Sequence, residues 1–279
     1  MRRSRFFGRR SERRFRDATV VITGGGGGLG SAIAECFGRA GARVALLDID
    51  RTAVVDSALA LAEQGIKALG IACDITEPAE CDRALVEVRR KLGPVDVLVN
   101  NAGLTHRSAF VDTDVAVYRR VMEVNYFGAL HCTKAALGDL MARKGLIITI
   151  SSIAGIAPLL GRTGYSASKH ALHGLFGSLR SELAPKGVGV LVVCPGFTAT
   201  DFRFRALGAD GTVTRHPQST VGRMATPAQV AEAILTAAAS NRKLLVLSPT
   251  GRITRWMVAL APDLYELVMA RSLRSELQR

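Results

Sequence analysis

The chain has 279 residues, of which 48% are hydrophobic, and its formal net charge is +13 at pH 7. This length and apolar content suit one α/β domain with a large core. Every strongly apolar run is shorter than the ~18 residues that would suggest a membrane span. Five cysteines, at positions 36, 73, 81, 132 and 194, lack zinc-site spacing. We therefore expect reduced thiols, no bound metal and a cytoplasmic protein.

The positive charge is concentrated at the amino terminus. Residues 1–16 contain eight arginines and one acid, Glu12, and they lack the apolar middle of a secretory signal. This composition predicts a disordered basic tail. Because Phe6, Phe7 and Phe15 lie among the arginines, the alternative is peripheral contact with an anionic membrane surface. No nucleic-acid recognition motif accompanies the tail, so we expect no nucleic-acid partner.

Between residues 17 and 250, short apolar runs alternate with helical patterns. We predict seven strands, at 18–23, 43–48, 68–73, 95–100, 146–150, 188–194 and 244–247. Helices are predicted at 31–40, 51–64, 78–92, 114–142, 165–183 and 227–239. Nearly continuous Val, Ile and Leu in the strands indicates a parallel sheet covered on both faces. With right-handed crossovers, this is a Rossmann-type, doubly wound α/β fold in a single domain.

Two further segments complete the predicted domain. Residues 198–225 are predicted to form an irregular lid over the carboxyl ends of the strands. Residues 251–279 are predicted to be a C-terminal helical extension, broken near Pro262. The extension mixes apolar residues with arginines, so we expect it to pack on its own domain. The alternatives are docking on a partner subunit or on a membrane surface.

A glycine-rich turn follows the first predicted strand. It reads Thr23-Gly24-Gly25-Gly26-Gly27-Gly28-Leu29-Gly30 and leads into the first helix. Glycines let the backbone approach a pyrophosphate, while the N-terminus of the helix supplies N–H groups and a positive dipole. The position of the turn between a strand and a helix therefore predicts a dinucleotide site.

An acidic residue at the end of the second strand bears on which dinucleotide binds. Asp48 lies 18 residues beyond Gly30. A carboxylate at this place accepts hydrogen bonds from the ribose hydroxyls and repels a 2′-phosphate, which favours NAD. Arg51 is close enough in sequence to leave NADP as the alternative. Asp48 could also simply cap the following turn.

Tyr165 and Lys169 are four residues apart in a predicted helix, a spacing that places both side chains on one face. An ammonium beside a phenol favours the phenolate and lowers its pKa. The pair therefore predicts a proton donor and acceptor that works near neutral pH. Together with a nucleotide site, it predicts hydride transfer to or from an alcohol.

The order of these motifs resembles the short-chain dehydrogenase/reductase family, of the type with a Thr-Gly-x-x-x-Gly-x-Gly cofactor motif. The resemblance covers residues 18 to about 250. It is carried by the glycine turn, Asn100-Asn101-Ala102-Gly103, Asn125, Ser151-Ser152, Tyr165 with Lys169, and Pro195-Gly196. Within the family, the stretches 121–128, 165–171 and 260–264 look closest to the 11β-hydroxysteroid dehydrogenase type.

The resemblance implies roles for individual residues. Tyr165 would exchange a proton with the substrate oxygen, and Ser152 would hydrogen-bond that oxygen. Lys169 would lower the Tyr165 pKa and bind the nicotinamide ribose, while Asn125 would steady a proton-relay water. The expected cofactor-binding residues are Gly24, Gly26, Gly27, Gly28, Leu29, Gly30, Asp48, Asp74, Ile75, Asn101, Ala102, Gly103, Tyr165, Lys169, Pro195, Gly196, Thr198 and Thr200.

We therefore expect an NAD-dependent oxidoreductase that interconverts a secondary alcohol and a ketone. The predicted substrate pocket consists of Ser152, Leu159, Tyr165, Phe197 and Phe202, whose apolar character favours a bulky steroid- or lipid-like compound. His106 could line the pocket or lie on the surface. The resemblance implies a homodimer or homotetramer. The alternative function is a non-catalytic nucleotide-sensing or scaffold protein on the same fold.

Overall fold

The computed structural model describes residues 13–214 and 224–276. Within them, seven parallel strands form one sheet in the order β3-β2-β1-β4-β5-β6-β7. The strands are β1 Thr19–Thr23, β2 Arg43–Asp48, β3 Ala68–Ala72, β4 Val97–Asn100, β5 Leu146–Ile150, β6 Gly189–Cys194 and β7 Leu244–Val246. Their bounds agree with the predicted ones to within two residues. The predicted Rossmann-type sheet is confirmed.

Helices alternate with the strands. They are α1 Gly28–Arg39, α2 Arg51–Glu63, α3 Pro78–Leu92, α4 Val115–Met122, α5 Gly128–Ala142, α6 Thr163–Leu183, α7 Pro227–Ala239, α8 Pro249–Leu260 and α9 Pro262–Ser272. The single helix predicted over 114–142 is instead interrupted by a π-helical turn, Glu123–Phe127, between α4 and α5. Helix α1 begins earlier than predicted because the glycine turn leads directly into it.

The sheet buries both of its faces. Along β1, Val20 and Ile22 belong to one core cluster and Val21 to the other, because successive side chains of a strand point to opposite faces. The first cluster includes Phe37 of α1, and the second includes Phe176 of α6. Helices thus cover both faces, and the loops at the carboxyl ends of the strands are left to build a site.

The amino-terminal tail ends earlier than the sequence predicts. Residues 1–12 lie outside the described residues, but the backbone N–H of Arg13 donates to Ala239 O at 2.9 Å. The Phe15 side chain is 6% exposed and meets the Phe37 ring edge-on at 4.8 Å between centroids. Residues 13–16 therefore belong to the domain, because Phe15 completes the core around α1.

The C-terminal extension forms two helices that break at Pro262, as predicted. Its inner side packs on the domain, where Gly251 and Tyr265 are buried. Its outer side exposes apolar side chains, including Trp256 and Leu260. Over the described ranges, none of the helices combines the length and apolar character needed to cross a membrane.

The packing of Phe15 predicts the effect of a substitution. We expect Phe15→Ala to lower the free energy of unfolding by about 3 kcal/mol, because it leaves a cavity against Phe37. The matched control is Phe110→Ala, since Phe110 is 69% exposed; it should cost less than about 1 kcal/mol. Denaturant unfolding measures both. If both variants lose the same free energy of unfolding, the Phe15 side chain does not stabilise the core.

Candidate active site

A cavity of about 970 Å³ opens at the carboxyl ends of the strands. It lies where the chain turns in opposite directions after β1 and after β4, the switch point at which ligands bind in this kind of sheet. All of the predicted cofactor residues except Gly30 line it, as do all five predicted pocket residues. Of the predicted catalytic residues, only Asn125 does not line it.

The glycine turn is tied to the end of β4. The Asn101 side-chain amide donates to Thr23 O at 2.9 Å and to Gly24 O at 3.1 Å. In return, Thr23 Oγ1 accepts from the backbone N–H groups of Asn101 and Ala102, each at 3.0 Å. Gly24 has a φ of +65°, and a Cβ there would lie 2.9 Å from Ala102 Cα. The two turns at the switch point are therefore held as one unit.

The turn leaves space for a dinucleotide. A Cβ on Gly27 would meet nothing within 4 Å, and one on Gly28 would lie 3.5 Å from Thr200 across the cavity. Gly30, by contrast, is a packing residue, because a Cβ there would collide with the Gly24 carbonyl oxygen. It lets the start of α1 pack closely against the glycine turn, and its predicted cofactor contact stays a prediction.

The adenosine end of the cavity carries carboxylates. Asp48 accepts from the Gly26 N–H at 2.9 Å and from the Asp50 N–H at 3.1 Å, one bond to each oxygen. Each oxygen keeps acceptor capacity for a ribose hydroxyl. Asp74 also lines this end, whereas Arg51 does not line the cavity. The residues present therefore fit a nicotinamide dinucleotide.

Tyr165 lies at the other end of the cavity, fully enclosed on α6. Burial raises the pKa of Tyr165, while its hydrogen bond with Ser152 and the positive charge of Arg162 act in the opposite direction. Ser152 Oγ also accepts from the Ala154 N–H at 3.1 Å, which fixes the hydroxyl beside the phenol. The hydroxyl groups of Ser152 and Tyr165 can therefore both hydrogen-bond one oxygen atom of a bound ligand.

Lys169 lies next to the tyrosine on α6. Its Nζ donates to Ile150 O at 2.9 Å and is 5.7 Å from the centroid of the Tyr165 ring. Burial lowers the pKa of Lys169 to about 8. The positive charge of Arg162, which lies just before the start of α6, favours a lower Tyr165 pKa, and the effect of Lys169 on the phenol stays a prediction.

Asn125 lies in the π-helical turn and forms hydrogen bonds with residues of two other segments. Its side chain accepts from the Leu104 N–H at 2.7 Å and donates to Leu104 O at 2.8 Å and Ser168 Oγ at 2.8 Å. Both amide hydrogens are therefore used. The π-helical turn aims this side chain inward, so that it clamps the loop after β4 against α6. This makes Asn125 a positioning residue.

His106 is neither a surface residue nor part of the cavity wall. It is fully buried, and its Nε2 accepts from the Gly164 N–H at 2.9 Å at the start of α6. Burial lowers the pKa of His106 to about 4, and the nearby Arg162 charge adds to this. The neutral ring therefore fixes the helix that carries Tyr165.

The C-terminal extension lines the end of the cavity that holds Tyr165, together with described residues of the predicted lid between 198 and 205. Tyr265 Oη donates to Pro158 O at 2.5 Å, next to the predicted pocket residue Leu159. Met257 and Met269 of the same extension line the cavity, as does Phe202, whose ring lies 6.3 Å from that of Tyr165. Residues 215–223 of the predicted lid lie outside the described residues.

Two residues of this site were missed by sequence reasoning. Arg162 lies three positions before Tyr165 but outside the helix predicted over 165–183, so the helical pattern did not include it. Tyr265 lies 107 positions from Pro158, and no local pattern connects them. In the described parts of the chain, no group of three or more His, Cys, Asp or Glu side chains is placed to hold a metal ion.

The Tyr265 hydrogen bond predicts how firmly α9 is held. We expect Tyr265→Phe to speed tryptic cleavage in the extension several-fold, because the Pro158 carbonyl loses a partner, at a cost of about 1–3 kcal/mol. The control is Leu264→Ala on the outer side of the same helix, where the side chain is 51% exposed. If both variants are cleaved at the wild-type rate, the hydrogen bond does not hold the helix.

Comparisons with known proteins agree with this geometry. The family model described as short chain dehydrogenase matches residues 18–207. The chain is 38% identical over 269 residues to Dehydrogenase/reductase SDR family member 7B of Bos taurus, covering 94% of this chain and 83% of that protein. It is 35% identical over 228 residues to 2-(S)-hydroxypropyl-CoM dehydrogenase 3 of Xanthobacter autotrophicus, covering 80% of this chain and 89% of that protein.

A solved structure supports the fold independently. It is a short chain dehydrogenase/reductase from Burkholderia phymatum in complex with NAD, with a TM-score of 0.81 and 24% identity. The alignment covers 90% of this chain and 96% of that one. The family match extends over most of the chain and includes the glycine turn, the serine and the tyrosine–lysine pair described above. The chain therefore belongs to the short-chain dehydrogenase/reductase family of oxidoreductases.

Proposed function

We propose that this oxidoreductase interconverts a secondary alcohol and a ketone with NAD. The observation that carries the proposal is the buried Tyr165, with Ser152 hydrogen-bonded to it, at one end of a cavity whose other end is the glycine turn. A nicotinamide bound between them would supply or accept the hydride. The chain's own residues would then need to hold the substrate oxygen and move one proton.

Tyr165 is the residue that moves this proton. Because burial raises its pKa, the phenol is protonated at neutral pH and is ready to donate to a ketone oxygen. In the reverse direction, Ser152 and Arg162 favour the phenolate that accepts the alcohol proton. Lys169, with a pKa of about 8, can pass protons near neutral pH. Asn125 would contribute by fixing the geometry of this group.

Two observations support the finer parts of the proposal. Asp48 faces the cavity with a carboxylate that would repel a 2′-phosphate, which supports NAD over NADP. The relative named 2-(S)-hydroxypropyl-CoM dehydrogenase is, by that name, a dehydrogenase of a compound with a hydroxyl on carbon 2 of a propyl group. That is a secondary alcohol, the class proposed for this chain.

Substitution of the tyrosine tests the reaction. We expect Tyr165→Phe to lower turnover of bulky secondary alcohols by about 10²-fold or more, because it removes the proton carrier and keeps the ring. Cofactor absorbance measures turnover, and calorimetry should show that NAD binding persists. The control is Tyr118→Phe, whose hydroxyl bonds Thr163 at 2.9 Å away from the cavity. Equal, measurable turnover in wild type and Tyr165→Phe would show that Tyr165 is not the proton carrier, and absence of turnover in both with NAD binding intact would favour a scaffold or sensor.

Substitution of the aspartate tests the cofactor. We expect Asp48→Asn to lower the ratio of kcat/KM for NAD to that for NADP by about tenfold or more, because the repulsive charge is lost. The asparagine still offers an oxygen to the Gly26 N–H. The control is Asp50→Asn, which removes an equal charge outside the cavity and retains a good helix cap. An unchanged ratio, or a wild-type preference for NADP, would reject the assignment.

A further inference from the structure

The substrate end of the cavity is basic, although its predicted ligand is apolar. Arg107, Arg162, Arg203 and Arg205 all line the cavity, against one acid there, Asp201. Arg107 and Arg162 are only 7% and 6% exposed. Two buried arginines beside a reacting centre need a physical reason, because burying a charge without full compensation costs several kcal/mol.

The burial of Arg107 has a structural reason. Its Nη2 donates to Arg203 O at 2.6 Å and so ties the loop after β4 to the loop after β6. Its backbone N–H also donates to Leu207 O at 2.8 Å. This arginine therefore shapes the cavity wall.

Arg162 is paired with the carboxylate of Glu276. Its Nη2 lies 3.6 Å from Glu276 Oε1, long for a charge-assisted hydrogen bond, and both side chains are buried. Its Nε has no hydrogen-bond partner among the described residues. A guanidinium carries five donors in a planar fork that matches a carboxylate, sulfonate or phosphate. The group lines the cavity three residues before Tyr165 and acts on that phenol through its charge.

The wall that α8 and α9 contribute to the cavity includes several apolar side chains. Helices α8 and α9 contribute Met257, Val268 and Met269 to the cavity, and Leu273 follows them. A ligand that binds both the Arg162 guanidinium and these apolar side chains has an anionic group and an apolar body. A neutral ligand would leave the Arg162 donors without further partners in a water-poor space, which costs binding free energy.

We propose that the substrate is an alcohol or ketone that carries an anionic group, and that this group binds Arg162 while the apolar body rests on α8 and α9. The proposal rests on the proposed function for its reacting group and narrows the substrate class. Glu276 occupies part of the Arg162 fork, so it competes with the ligand anion. Arg162 and Glu276 should therefore affect anion binding with opposite signs.

The test compares three medium-chain ketones of equal length: a keto acid, its methyl ester and the keto phosphate. For the wild type, we expect kcat/KM of an anionic ketone to exceed that of the ester by about tenfold or more. Arg162→Gln should reduce this ratio about tenfold, chiefly through KM. Glu276→Gln should keep or raise it, and the control Arg255→Gln, an exposed arginine outside the cavity, should leave it within about threefold.

The outcomes separate an anion site from a structural ion pair. If Arg162→Gln and Glu276→Gln slow the acid and the ester equally, the pair only holds the extension in place and the proposal is wrong. A wild-type enzyme that prefers the ester also overturns it, while the proposed reaction stands. The keto acid and keto phosphate distinguish a carboxylate site from a phosphate site. If Arg162→Gln does not fold, Arg162→Lys should give an intermediate ratio.

A binding measurement keeps the proposal testable if no ketone turns over. Decanoate and decanol, which differ in charge, are titrated calorimetrically into the NAD-saturated protein. We expect decanoate to bind more tightly, and Arg162→Gln to weaken decanoate alone by about tenfold. If Arg162→Gln leaves the affinity for decanoate unchanged, the proposed anion site is wrong. Absence of turnover with intact decanoate binding would instead overturn the proposed reaction.

Discussion

The tie between the turns after β1 and β4 is the constraint on which the site depends. Asn101 bonds two carbonyls of the glycine turn, and Thr23 accepts from the backbone of the opposite turn. Parallel strands whose crossovers leave in opposite directions open a crevice at this place. The cross-bonds fix its width, so that the glycine backbone, Asp48 and the tyrosine end of the cavity face one space.

Burial then sets the chemistry of the catalytic end. The same enclosure raises the pKa of Tyr165 and lowers that of Lys169 to about 8, because loss of water disfavours each charged form. Arg162 pulls the Tyr165 pKa back down. The protonation of Tyr165 is thus a balance between enclosure on one side and the Ser152 hydrogen bond and the Arg162 charge on the other. The C-terminal extension contributes to that enclosure through its contacts around Pro158.

The predicted residues agree with the structure where the interactions are local in sequence, and they differ where the interactions join distant segments. Strand bounds and the lining role of the glycine turn, Ser152 and Tyr165 follow from short patterns. The exceptions have non-local causes. Gly30 packs under the Gly24 carbonyl, and Asn125 is turned inward by a π-helical turn. The cofactor identity and the roles of individual residues remain proposals that rest on chemistry and family likeness.

The sequence by itself determined the fold class and the chemical type of the site, because hydrophobic periodicity and short motifs are encoded within a few residues of each other. Only the tertiary structure decided that Phe15 belongs to the core, that His106 supports α6, and that the C-terminal helices cover the substrate end. It also brought Arg162 close enough to Tyr165 for its charge to favour a lower phenol pKa. Contacts and burial between distant segments arise only on folding, and no local pattern specifies them.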